Sequence, residues 1–285
     1  MNKIKSDDSE SKLPLNVGNQ EDWDLPIRQK RLTSLISDAT TPQDKARLLA
    51  VSSVHASDWL NAIPIPSLGL KMNNSQMRIS CALRLGSKIC LQHQCICGAQ
   101  VLSDGHHGLS CKKSAGRFAR HSQVNDIIKR ALQSSHIPAT LEPTGVSRTD
   151  GKRPDGLTIF PWKKGKLMVW DYTCSDTLAP SYIKSSSQES GKVALTKENN
   201  KLSKYSNLID QYEVIPVCVE TLGPWGPNGL KLVQEIGKKI RDETGERRST
   251  SFLLQSISMA VQRGNCASIM GTVGFQKKLE EIYYL

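Results

Sequence analysis

Between residues 116 and 220 the apolar residues pass from a helical repeat to alternation and back. Phe118, His121, Val124, Ile127, Ile128, Ala131 and Leu132 fall at helical spacing over 116–133. Three strands follow, at 139–146, 155–160 and 166–173, with turns at 151–154 and 161–165. The third alternates so that Leu167, Val169 and Asp171 share one face. A serine-rich loop (Ser181, Ser185, Ser186, Ser187, Ser190) then leads to a helix over 191–210, carrying Leu195, Leu202, Tyr205, Leu208 and Ile209. A strongly apolar strand at 213–220 closes the series. The order is αβββαβ, and the fold class is α/β (α+β). Two more helices, 228–243 and 250–263, are expected to stop near Gly245 and Gly264.

Upstream of this core the sequence is simpler. Residues 1–24 hold three lysines and six acids without periodicity, so they read as a disordered tail, and 276–285 read as a tail at the other end. Residues 25–90 read as a helical segment. One helix opens at Thr41, with Pro42 at its first position and Asp44 completing a T-x-x-D cap. Leu48, Leu49, Val51, Val54, Trp59 and Leu60 supply its apolar face, and a second helix covers 75–89. The longest apolar run, 214–219, contains Pro216 and is far short of the ~20 residues of a membrane span. The first residues lack the hydrophobic segment of a signal peptide, so the chain reads as soluble and intracellular.

Charge narrows the partner. The 285 residues carry a net +11 with a pI near 9.3, and residues 112–204 alone hold 17 Lys+Arg against 8 Asp+Glu. A basic domain of this kind asks for an anionic partner, and nucleic acid is the commonest.

Four of the eight cysteines crowd into residues 90–111 with His93, His106 and His107 among them. Cys95, Cys97, His107 and Cys111 would make a closed tetrahedral Zn2+ site of structural type, with metal binding supplying the folding energy of a knuckle over 91–113. His106 could replace His107, and Cys90 and His93 are spare ligands. Lys112, Lys113, Arg117 and Arg120, just beyond, would touch a phosphate backbone. Arg153 and the lysines of 163–166 would extend that surface.

The remaining chemistry lies in Lys152-Arg153-Pro154-Asp155 and in Asp171. A hairpin brings the two carboxylates to one edge, where they could hold Mg2+, which takes oxygen ligands and keeps several waters. Lysine is suited to place a point charge at a phosphate, and Lys197, Lys201 and Lys204 share one face of their helix. Glu142 is a further candidate ligand from the first strand. His121 reads as a helix-packing histidine rather than a catalytic base.

At these residues the sequence resembles the PD-(D/E)xK superfamily of restriction-like nucleases, whose core has the same order of elements. Pro154-Asp155 matches the superfamily's Pro-Asp, and Asp171-Tyr172-Thr173 matches its acidic-x-Lys except that Thr173 stands in the lysine position. In the restriction-like endonucleases of certain non-LTR retrotransposons a Lys-x-x-Lys-Tyr on the next helix supplies the lysine, and Lys201-Leu202-Ser203-Lys204-Tyr205 fits it. The stretches CICGAQ, HHGLSCKKSAGR, KRPDGLTIFPWKKG, VWDYTCSDTLAPS and VETLGPWGP look like the C-terminal part of such an element's reverse-transcriptase polyprotein. No Tyr-x-Asp-Asp polymerase motif occurs in the chain. The resemblance implies a domain over 114–275 that nicks DNA with Mg2+, Asp155 and Asp171 as ligands, and a lysine acting on the phosphate; Lys201 is favoured as the catalytic group and Lys204 as a phosphate contact. It also implies DNA or RNA as partner, a nuclear location, and a reverse transcriptase in cis or trans. The competing expectation is a zinc-containing nucleic-acid-binding module of the same fold without chemistry.

Overall fold

The computed structural model describes residues 20–114, 116–147, 150–274 and 279–283. Residues 1–40 and 41–285 are two compact units. In the first, α1 (Gln20–Ser37) already includes 20–24, which the sequence places in a tail; the rest of that tail lies outside the described residues. Trp23, Leu25, Ile27 and Leu35 are exposed on this helix.

The second unit opens with α2 (Pro42–Val51). Its cap forms, with the Asp44 N–H donating to Thr41 Oγ1 at 3.0 Å. The helix is shorter than its apolar positions suggest: Trp59 and Leu60 lie in a separate 3-10 turn at Asp58–Asn61. Next, α3 (Asn74–Leu85) carries a capping box between Asn73 and Gln76 and stops at Gly86, four residues short of the expected end. Then β1 (His93–Gln94) pairs with β2 (Gln100–Val101), and α4 (His107–Ser110) precedes the long α5 (Gly116–Ser134).

The main sheet has the order β3 (Ala139–Leu141), β4 (Gly156–Lys163), β5 (Lys166–Ser175), β6 (Tyr212–Glu220). The first three strands are antiparallel and β6 lies parallel to β5, so the protein is a mixed α/β fold with a mixed sheet. The β4–β5 hairpin extends further than Pro161 suggests. A register irregularity absorbs the proline, and Lys164 and Gly165, both at positive φ, make the two-residue turn. The crossover from β5 to β6 runs through α6 (Ile183–Ser186) and α7 (Lys192–Lys204). Then α8 (Pro227–Thr244) and α9 (Ser249–Met270) follow, and α10 (Leu279–Ile282) is the last described helix.

β5 is buried on both faces, as the middle of a covered sheet must be. Met168, Trp170 and Tyr172 enter the main core with Val124 and Ile128 of α5, Ile236 of α8 and Ile257 of α9. On the other face Val169 packs with Val146, Tyr205 and Leu208. Leu202 is partly buried there, but Ile209, expected in that stripe, is 43% exposed because α7 ends at Lys204.

Two expected boundaries need correction. The segments 41–90 and 91–113 are not separate from the C-terminal helices. Ala46, Leu83, Cys95, Val101, Leu109 and Cys111 share one core with Cys266 and Ile269 of α9 and with Ile282 and Tyr283. The last residues are therefore partly packed rather than a tail, 275–278 and 284–285 lying outside the described residues. The reason lies in α9, which does not stop at Gly264. That glycine lets Arg120 of α5 press against the helix, where a Cβ would lie 2.4 Å from the arginine Cβ.

Candidate functional site

Asp155 sits immediately before β4, and its place is fixed from three sides. Its N–H donates to Trp170 O at 3.0 Å, and its Oδ2 accepts from the Tyr172 N–H at 2.6 Å. Gly156 lets the Trp170 indole lie against the β4 backbone, since a Cβ there would be 2.0 Å from the ring. The same Oδ2 pairs with His121 Nε2 of α5 at 3.0 Å. Behind the imidazole, Trp170 Nε1 donates to Asn125 Oδ1 at 3.0 Å, which turns the Asn125 amide nitrogen toward His121 Nδ1 at 3.3 Å. The ring is thereby oriented with Nε2 toward the carboxylate.

Asp171 enters from the adjacent strand and pairs with Lys201 Nζ of α7 at 2.7 Å, the two side chains only 14% and 15% exposed. Burial pushes the Asp171 carboxyl up, against the Lys201 charge, and the nearby Asp155 adds to the rise. Asp155 is also buried, but the His121 hydrogen bond and charge together with the Tyr172 N–H hold it below the usual carboxylate range. His121 in turn is raised, first by its bond to Asp155, and it feels the charges of Asp171 and Lys201 as well. Two carboxylates, one ammonium and one imidazole thus form a single interacting group at the end of the β4–β5 pair.

His121, Asp171 and Lys201 of this group line a cleft of about 560 Å³ together with Lys112, Arg117, Phe118, Lys152, Arg153, Thr173 and Cys174, among others. Of the residues marked in the sequence, Asp171 and Lys201 pair directly, and Asp155 lies near enough to act on the Asp171 charge. His121 does not behave as the packing histidine its spacing predicts: it is partly exposed and touches Asp155. Lys204 is exposed and does not line the cleft; it is the last residue of α7, about one turn further along the same face than Lys201. Glu142 is also elsewhere. Its backbone sits at φ 48°, its side chain is 69% exposed, and it pairs with Arg153.

Among the expected phosphate contacts, Lys112, Arg117 and Arg153 do line the cleft. Arg120 lies in its floor but is only 3% exposed, with Nη1 donating to Asn265 Oδ1 at 2.6 Å, so it is a packing arginine. Lys113 turns to Ile96 O, Lys163 to Glu235, and Lys166 to Ile209 O, all outside the lining. Lys152 and Phe118 line it too, although the sequence marks no phosphate contact at Lys152 and places Phe118 on a buried stripe.

A second site lies in the segment before α5. Cys95 and Cys97 hang on the β1–β2 loop, closed by the Cys95 N–H to Ala99 O bond at 2.8 Å. His107 and Cys111 stand one turn apart on α4 and its cap. The four ligand atoms lie within 4.8 Å of one another. Cys95 Sγ and Cys111 Sγ are 3.7 Å apart, about the edge of a tetrahedron with ~2.3 Å metal–sulfur bonds. Cys97 Sγ and His107 Nε2 approach to 3.2 Å. This Cys3His group could hold structural zinc. His107 is its histidine, since His106 faces Asp104 at 3.5 Å. Cys90 and His93 are engaged elsewhere, Cys90 with backbone oxygens and His93 with Leu91 O and Thr272 Oγ1. Among the described residues no comparable cluster includes Asp155, Asp171 or Glu142.

No protein-family model matches the chain, and no curated protein matches it. No described helix is long and apolar enough to cross a membrane.

Proposed function

We propose that the cleft is the active site of a Mg2+-dependent DNA endonuclease that hydrolyses a phosphodiester bond. The observation that carries this is the Asp171–Lys201 pair at 2.7 Å beside the Asp155–His121 pair at 3.0 Å, in a cleft edged by cations. The donor chemistry fits: two carboxylates on adjacent strands are the kind of ligand set Mg2+ accepts alongside waters and substrate phosphate. Asp155 and Asp171 would hold the ion, which when bound supplies Lewis-acid stabilisation and an activated water. Lys201 would set its positive charge against a non-bridging phosphate oxygen, in the role that Thr173 cannot fill. His121 would keep the Asp155 carboxylate ionised and oriented. Lys112, Arg117, Lys152 and Arg153 would hold the flanking backbone.

The helix, three strands, helix and strand from α5 to β6, with Asp155 before one strand and Asp171 in the next, support membership of the PD-(D/E)xK nucleases. Short motifs such as KRPDGLTIFPWKKG and VWDYTCSDTLAPS support the narrower reading, a relative of the endonuclease region of non-LTR retrotransposons, acting in the nucleus alongside a reverse transcriptase. Supercoiled plasmid incubated with the protein and Mg2+ tests the activity. Wild type should convert it to nicked circles, EDTA should stop the reaction, and Asp155→Ala should leave DNA binding but no nicking. Equal plasmid conversion by wild type and Asp155→Ala would reduce the protein to a binding module.

A further inference from the structure

Phe118 is out of place as a core residue. It opens the apolar stripe of α5, yet Val124, Ile128 and Leu132 of that stripe are fully buried while Phe118 is 75% exposed. Its ring belongs to the cleft wall. It stands one helical turn before His121, so the two Cβ atoms are about 5–6 Å apart, and His121 touches Asp155. The same cleft is lined by Lys112, Arg117, Lys152 and Arg153 and by Asp171 and Lys201. A solvent-exposed aromatic ring in a cleft that also holds four cations and an acid–lysine pair suits a ligand that is anionic and flat at once. A nucleotide is that ligand: phosphate for the cations and a base for the ring.

We propose that Phe118 is a stacking platform for an unpaired nucleobase beside the Asp155–Asp171 centre. The proposal rests on the nucleic-acid reading of the cleft and goes beyond it, because it selects a substrate. Bases inside an intact duplex are covered on both faces by their neighbours and present none to Phe118. The preferred ligand is therefore nucleic acid with an unstacked base, at a bulge, gap or fork, rather than continuous duplex.

The test uses the whole chain in EDTA, so that binding is read without cleavage. Two DNA duplexes of the same sequence are compared, one continuous and one with a single bulged 2-aminopurine. Wild type should bind the bulged DNA more tightly, on the order of tenfold, and quench the 2-aminopurine. Phe118→Ala should bring the bulged DNA down to the duplex affinity and abolish the quenching. Phe118→Trp should restore both. Because Phe118 is exposed, its removal opens no cavity, and folding is checked by an unchanged thermal midpoint. A wild type without preference for the bulge, or a preference that survives in Phe118→Ala, overturns the proposal. Loss of nicking in the plasmid assay would instead strike the endonuclease reading and leave this one standing on its binding data.

Discussion

Lys201 and Lys204 are three residues apart on α7, and both occupy the helix face that the sequence marks as basic. Only Lys201 reaches Asp171. Periodicity assigns a face but does not say how deep along it the neighbouring strand runs, and that decides between the two. Lys201→Ala should lower single-turnover nicking by about a hundredfold or more, with DNA affinity by fluorescence anisotropy changed less than threefold. Lys204→Ala should alter neither by more than about threefold; the reverse pattern would move the lysine role to Lys204. Asp155 and Asp171 were legible because a Pro-Asp and an alternating strand are local signals. His121 was not, because it carries the spacing of the buried stripe and its meeting with Asp155 is tertiary. A different residue contributes to the pH response of the fold. Glu220, at the end of β6, is buried, with Oε1 accepting the Ala194 N–H at 3.2 Å and Oε2 buried without a hydrogen-bond partner. Burial pushes its carboxyl from 4.5 to about 7. A raised carboxyl stabilises the fold while protonated, so this contribution is complete below pH 4.5 and is lost as pH rises through 7. Its full size is about 3 kcal/mol. Urea midpoints should therefore show wild type weakening from pH 5.5 to 8.5 by more than Glu220→Gln does; parallel profiles would remove Glu220 from the account.

At the scale of elements, α9 departs furthest from expectation. Gly264 reads as a stop in sequence, since isolated glycine costs about 1 kcal/mol in a helix. Burial overrides that cost, and the helix continues to Met270. Its last turns then seat the cysteine–histidine segment. Gly108 of α4 packs so closely that a Cβ would be 2.6 Å from Ile269 Cα, and Ile96 N–H donates to Thr272 O at 3.0 Å. The ligand set itself was legible from spacing, whereas this seat, formed by residues more than 150 positions later, was not. Because Cys95 and Cys111 are in the same core as Val101, Leu109 and Ile269, metal loss should be felt beyond the knuckle. Purified protein should carry one zinc per chain by elemental analysis. Chelation, or Cys97→Ser, should lower the thermal midpoint by several degrees. A chain that is zinc-free and insensitive to chelator as purified would contradict the assignment.

For the whole molecule, the basic charge is concentrated in residues 112–204, but only part of it faces the cleft. Charge counting located the domain and could not tell Lys112 and Arg117, which line the cleft, from Lys163 and Arg120, which pair with Glu235 and Asn265. With Lys112, Arg117, Lys152 and Arg153 as phosphate contacts, duplex affinity should fall roughly a hundredfold between 50 and 200 mM salt. A flat salt dependence would put the interface elsewhere. In the proposed function Asp155, Asp171 and Lys201 form one hydrolytic centre rather than a structural ion network. The most direct measurement is single-turnover nicking in Mg2+ at protein concentrations that saturate the DNA, for wild type and Asp171→Asn. A hydrolytic centre at these residues requires a rate at least about a hundredfold lower for Asp171→Asn at unchanged DNA affinity. Equal rates for the two proteins would contradict it.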